Sequence, residues 1–200
     1  MGTEYRTARR FRKPSPLFRW CQARGCFSGP GRVLVFGAGL LLEAEILAEL
    51  GWKVDALETS DSIARRADVF EAFSHRKGCR VISATAAARP KYQLILVTHV
   101  LEFIENPRQR QQILGDLASR LGQKGVLLLS LRGWSDVKAA KNPRRKGDGI
   151  VTGLGTWTRG FTTTEARDLV ENAGLEVADG PMGEGSRTPR QVRFVCKKKA

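Results

Sequence analysis

The stretch Arg32-Val-Leu-Val-Phe-Gly-Ala-Gly-Leu-Leu-Leu-Glu-Ala-Glu-Ile-Leu-Ala-Glu-Leu-Gly51 changes its period at the glycines, and that change decides the fold. Val33, Leu34, Val35 and Phe36 are apolar without polar alternation, the pattern of a strand covered on both faces inside a parallel sheet. From Leu40 onward leucine, alanine and glutamate, all strong helix formers, take over, and Gly51 stands where a C-terminal glycine cap belongs. Gly37 and Gly39 therefore occupy a tight strand-to-helix turn. Without side chains there, a small polar ligand can approach free amides at the start of a helix. The next apolar run, 52–57, ends in Glu58, about 20 residues beyond the turn, from which a carboxylate can grip both hydroxyls of a ribose. Gly-x-Gly alone is equally a tight turn in any α/β protein, and a dinucleotide fingerprint would have Gly or Ala where this chain has Leu42.

Two hundred residues are enough for one domain with a sizeable core, or one domain with extensions. The chain has no apolar run of the roughly 18 residues that a spanning helix needs, and no membrane partner is expected. Arg6 stands where an N-myristoylation signal wants Ser or Thr. Cys21, Cys26, Cys79 and Cys196 are scattered without metal-ligand spacing, so no metal is expected and the four read as reduced thiols of an intracellular protein. The expected compartment is cytoplasmic. An organelle matrix is the alternative, because the start of the chain is rich in arginine and poor in acid. A formal charge of +14 favours a polyanionic partner through phosphate neutralisation, against the blander reading of a merely soluble basic protein.

Residues 1–28 read as a basic arm carrying a short helix opened by Ser15 and Pro16, and residues 29–200 as one domain. Ser60 or Asp61 is expected to cap a helix through Ala72. Short apolar runs at 79–82, 92–98 and 125–131 make strands three to five, with a helix over 108–121 whose Ile113, Leu114, Leu117 and Leu121 share a face. Residues 134–160 hold Lys138, Lys141, Arg144, Arg145 and Lys146 among glycines and read as a long basic loop or flap. Thr162 and Glu165 form a capping box for a helix stopped by Gly174, and two last strands, 175–178 and 191–196, follow. Strands alternating with helices give an α/β, doubly wound, mainly parallel sheet with helices on both faces.

With those residues in place, the chain resembles the class I S-adenosylmethionine-dependent methyltransferases from about Val33 to Cys196. The segments that carry the resemblance are Val33-Leu-Val-Phe-Gly-Ala-Gly39, the acid Glu58, His99-Val-Leu-Glu-Phe-Ile104, and Leu121-Gly-Gln-Lys-Gly-Val-Leu-Leu-Leu-Ser130. The resemblance implies a Rossmann-like seven-stranded sheet with an antiparallel last strand, S-adenosylmethionine as cofactor and in-line methyl transfer. Tyr5-Arg-Thr-Ala8, Arg132-Gly133, and Gly155-Thr156 with Gly160-Phe-Thr-Thr163 are also similar to a bacterial methyltransferase group linked to DNA modification loci. Three departures stand out: Val35 where the family usually has an acid that orders the loop and the donor's amino group, Leu41 where it has a glycine, and Gln93 where Asp often opens strand four.

The resemblance implies that Phe36, Gly37, Ala38, Gly39, Glu58, Thr59, Ser83, Thr98 and His99 surround the donor. His99 is also the candidate base, since histidine is the side chain that changes charge near neutrality; the alternative is a histidine holding the turn. Glu102 reads as a helix-face residue. Arg132, Trp134, Trp157 and Phe161 are candidates for the acceptor side, the aromatics either stacking on bases or packing among themselves. The arm, the loop 138–146 and the tail 187–199 offer a track for RNA or DNA. Two further readings stay open: a catalytically silent methyltransferase fold serving as a nucleic-acid or ribonucleoprotein scaffold, and a small-molecule methyltransferase.

Overall fold

The computed structural model describes residues 13–27, 30–83, 90–179 and 190–199. A seven-stranded sheet runs in the order β3-β2-β1-β4-β5-β10-β9. Its strands are β1 (Arg32–Phe36), β2 (Lys53–Glu58), β3 (Cys79–Ser83), β4 (Tyr92–Thr98), β5 (Leu121–Arg132), β9 (Leu175–Asp179) and β10 (Gln191–Lys198). The first five are parallel, and β10 lies antiparallel between β5 and β9. This is the doubly wound, Rossmann-like sheet with an antiparallel last strand that the sequence implied.

Alternation along each strand feeds a core on each face. Val33 and Val35 join Leu94, Leu96, Leu47 and Phe70 on one side, whereas Leu34 joins Ile95, Val97, Leu117 and Phe194 on the other. The strand order reverses between β1 and β4, so their carboxyl ends diverge and leave the crevice where open α/β sheets bind ligands.

The helices are α1 (Pro16–Ala23), α2 (Leu42–Glu49), α3 (Ser60–Ala64), α4 (Ala67–Ser74), α5 (Pro107–Arg120), α6 (Trp134–Lys138) and α7 (Thr163–Asn172). α1 begins as its sequence requires, with the Ser15 hydroxyl accepting from Phe18 N at 3.2 Å and Pro16 in the first turn. Leu17, Phe18 and Cys21 then bury against the β1 face, so this helix of the expected arm is part of the core. The residues of the arm before Lys13, the stretch 84–89 and most of the β9 to β10 connection lie outside the described residues.

Two local expectations are corrected. The single helix expected through Ala72 is two helices, capped by Thr59 rather than Ser60 or Asp61, because the chain turns at Arg65 and Arg66. The basic loop of 134–160 is built in part of secondary structure. It contains α6 and a second, three-stranded sheet of β6 (Arg144–Lys146), β7 (Gly149–Val151) and β8 (Trp157–Thr158). Its strands, of two or three residues, are too short to carry an apolar period that a sequence could show.

Candidate functional site

At the β1/β4 switch point lies a cavity of about 350 Å³, within the roughly 300–1,000 Å³ of small-molecule sites. One wall is the turn after β1, from Phe36 through Leu40, with Leu42 and Glu43 of α2. The opposite wall is Thr98, His99 and Phe103 after β4, with Arg132 and Asp136 beyond β5 and Gln191 at the start of β10. Residues 13–16, ahead of α1, close a third side.

The glycine turn is built by close approach. Gly37 has a φ of +69°, and a Cβ there would collide with the Val100 side chain. Gly39, at φ +56°, faces open space, with only the Gly37 carbonyl near an added Cβ, at 3.8 Å. Leu41, where a third glycine was expected, takes the left-handed conformation itself, at φ +62°, with its side chain fully buried. Leu41 thus takes a conformation that favours glycine without being one.

Glu58, half-buried at the end of β2, holds this turn from below. Its Oε1 accepts from Gly39 N at 2.7 Å and its Oε2 from Thr59 N at 3.1 Å. Arg66 donates to the Gly39 carbonyl from the other side. A carboxylate offers about four acceptor positions, so two remain for hydroxyls. Glu58, Thr59 and Ser83 stand at the ends of neighbouring strands but do not line the cavity, whereas Phe36, Gly37, Ala38, Gly39, Thr98 and His99 all do.

His99 and Glu102 form a pair. His99 Nδ1 lies 2.9 Å from Glu102 Oε1, and Glu102 is wholly buried. His99 has a φ of +55°, and its backbone N–H donates to the Ser130 carbonyl at 2.9 Å. The other ring nitrogen, Nε2, is buried as well. This geometry makes the pair a lock on the junction after β4 that also presents the imidazole edge to the cavity. Glu102, read from sequence as a helix-face residue, is corrected to the buried partner of that lock. Nothing in the sequence marks that burial, and the Glu102 backbone carbonyl accepts from the backbone N–H of the distant Arg159 at 2.9 Å.

Of the expected acceptor-side residues, Arg132 reaches the cavity, its Nε donating to Asp136 at 2.7 Å. Phe161 does not: it is 2 % exposed and belongs to the core, so stacking on a base gives way to packing under Arg159, whose guanidinium lies 4.3 Å from the ring centre. Trp157 donates from Nε1 to the Lys146 carbonyl and ties the small sheet together, and Trp134 opens α6; neither lines the cavity. Gln93, in place of an acid, accepts from Arg32 N at 2.7 Å and joins the entries of β1 and β4. Among the described residues no group of three or more His, Cys, Asp or Glu side chains is disposed to hold a metal, and no helix is long and apolar enough to cross a membrane.

A family model described as a methyltransferase domain matches residues 6–179. A search of curated proteins gave no match. Among solved structures the chain is similar to the PH0226 protein from Pyrococcus horikoshii OT3, with a TM-score of 0.74, 13 % identity and all of both chains covered. It is similar to the CcbJ methyltransferase from Streptomyces caelestis, with a TM-score of 0.73, 13 % identity, and 98 % of this chain and 96 % of that one covered. A third is the 1,6-didemethyltoxoflavin-N1-methyltransferase of Burkholderia thailandensis, solved with 1,6-didemethyltoxoflavin and S-adenosylhomocysteine bound. Here the TM-score is 0.69 and the identity 17 %, over 99 % of this chain and 85 % of that one. At these identities the likeness is one of fold.

Proposed function

The chain belongs to the methyltransferase domain family, and from that premise we propose that it transfers the methyl group of S-adenosylmethionine to a small polar acceptor held in the β1/β4 cavity. The observation that carries the reading is the cavity itself: a glycine turn open at Gly39 on one wall and a polar wall of His99, Arg132, Asp136 and Gln191 facing it. The residues fit the donor. Gly37, Ala38 and Gly39 leave room against the backbone, and the spare acceptor positions of Glu58 suit the ribose hydroxyls.

When bound, the donor supplies a methyl group on a sulfonium, open to in-line displacement. What the chain contributes is position. The His99–Glu102 lock fixes the rear of the cavity, and the Arg132–Asp136 pair offers a guanidinium and a carboxylate to orient an acceptor. Because Nδ1 and Nε2 of His99 are both buried or engaged, His99 acts as a positioning residue. Asparagine tolerates the left-handed backbone that His99 adopts. His99→Asn is therefore expected to keep kcat within about tenfold of the wild type with an unchanged pH–rate profile. A general base would instead cost 10²–10⁴-fold, roughly, and remove one limb of the profile.

A second reading, in which the acceptor is a nucleic acid, is favoured by the charge of +14 and by the exposed Lys138, Lys141, Arg144 and Arg145. The experiment is methyl transfer from labelled donor into a cell extract split into small-molecule, protein and nucleic-acid fractions. Label in the small-molecule fraction is the expected result. Label confined to nucleic acid would replace the first reading with the second, and label in no fraction, with no binding of donor, would remove both.

A further inference from the structure

Glu43 is the charged side chain in the cavity that the fold does not need as a charge. It stands in the first turn of α2, half-buried, on the wall that also holds Val35. Its Oε1 accepts from Ser15 N at 2.8 Å and its Oε2 from the Thr98 hydroxyl at 3.4 Å. Both partners are neutral, and an amide would keep both contacts, its oxygen accepting from Ser15 N and its N–H donating to the Thr98 hydroxyl. Among the described residues it makes no ion pair, although the chain carries an excess of cations. The cations that line the same cavity are Arg132, which is paired with Asp136, and the exposed Lys13, and neither is ion-paired with Glu43, so a partly buried carboxylate is left costly unless something positive reaches it. Val35 adds the second half of the observation: β1 contributes only an apolar, nearly buried surface at the place from which an acid would reach the same space.

We infer that Glu43 binds the α-ammonium of the donor's amino-acid end, replacing from the helix side the acid that β1 lacks at Val35. Two acceptor positions of its carboxylate remain after Ser15 and Thr98 are counted, and the Thr98 hydroxyl lies beside them to share the ammonium's protons. The contact with Ser15 N gives the arrangement a further consequence. The segment ahead of α1, which closes the cavity, is fastened to the same carboxylate, so ammonium binding and closure by residues 13–16 rest on one side chain.

The inference rests on the donor reading above, and its test separates the two. S-adenosylhomocysteine and its desamino analogue, which keeps the nucleoside and the carboxylate but has no ammonium, are titrated calorimetrically into the full chain, into Glu43→Gln and into Val35→Asp/Glu43→Gln. The wild type is expected to prefer S-adenosylhomocysteine by roughly tenfold or more, the worth of a charge-assisted contact. Glu43→Gln should erase that preference while leaving the analogue's affinity within about threefold, and the added Val35→Asp should restore it. Equal weakening of both ligands in Glu43→Gln would make the residue structural and overturn the inference. So would a wild type that binds both ligands alike, a measurement that needs no variant to fold. A wild type that binds neither would overturn the donor reading itself.

Discussion

Leu41 shows what a single residue can hide. A sequence read against a three-glycine loop registers a missing glycine, yet the backbone at 41 is left-handed all the same, at φ +62°. An L-residue there pays roughly 1–2 kcal/mol in sterics, which burial of a leucine side chain, worth about 1.5–3 kcal/mol, offsets. Leu41 is indeed wholly buried among the residues packed on the β1 face. The two terms can be separated by substitution. Leu41→Ala loses the packing and keeps the strain, whereas Leu41→Gly loses the packing and relieves it. Glycine is therefore expected to be the more stable of the two, by about 1 kcal/mol, the reverse of their order inside a helix. Urea unfolding of both variants measures this, and a glycine variant less stable than the alanine one would refute the balance. Glu43 and Glu102 were illegible for a related reason: Glu102 reads as a helix-face residue and Glu43 as one helix former among several until the segments they meet, at Arg159 and Ser15, are folded against them.

At the scale of elements, long regular pieces were legible and short ones were not. β1, β4 and β5 announce themselves by apolar runs, and α7 by its capping box, in which Thr162 and Glu165 bond each other's backbone. The small β6–β8 sheet is held instead by a charge network that no local pattern shows. Asp148 accepts from both Arg110 and Arg159, Arg159 also donates to Glu165 at 2.6 Å, and Arg110 donates to the carbonyls of Ile104 and Glu105. Burial pushes the Arg110 guanidinium down from its ordinary range, and Asp148 opposes that shift. Asp148→Ala would leave Arg110 without a carboxylate and Arg159 with Glu165 alone. Breaking a buried pair costs roughly 3–5 kcal/mol, and since Asp148 is itself partly exposed a loss of about 3 kcal/mol is expected, read from chemical unfolding.

Acid should find the same seam. Burial raises the Glu165 carboxyl, but its bonds to Thr162 and the Arg159 guanidinium outweigh that and hold it below 4.5. A depressed carboxyl stabilises the fold fully above its unfolded value, and that contribution disappears as pH falls through the folded one. The melting temperature of the wild type is therefore expected to drop more steeply below pH 4.5 than that of Glu165→Gln, and parallel curves would exclude the network as the acid-sensitive element.

For the molecule as a whole, the doubly wound sheet could be read because strands alternate with helices over most of the chain, while the placement of its charge could not, because charge has no period. Lys138, Lys141, Arg144 and Arg145 are exposed, and none makes an ion pair among the described residues. Two of them lie on β6, an edge of the small sheet, where neighbouring side chains project to opposite sides, so a stretch read as a loop is in part ordered basic structure, joined through Glu102 to the rear of the cavity. Each phosphate neutralised on duplex DNA adds roughly 0.9 to the slope of log affinity against log salt. If these residues carry polyanion binding, replacing all four with glutamine should flatten the slope by about 3–4, leave the melting temperature within a degree or two of the wild type, and leave donor affinity unchanged. A slope that stays the same would move the binding to the residues before Lys13 or after Asp179, and the nucleic-acid reading would then lose its connection to the cavity.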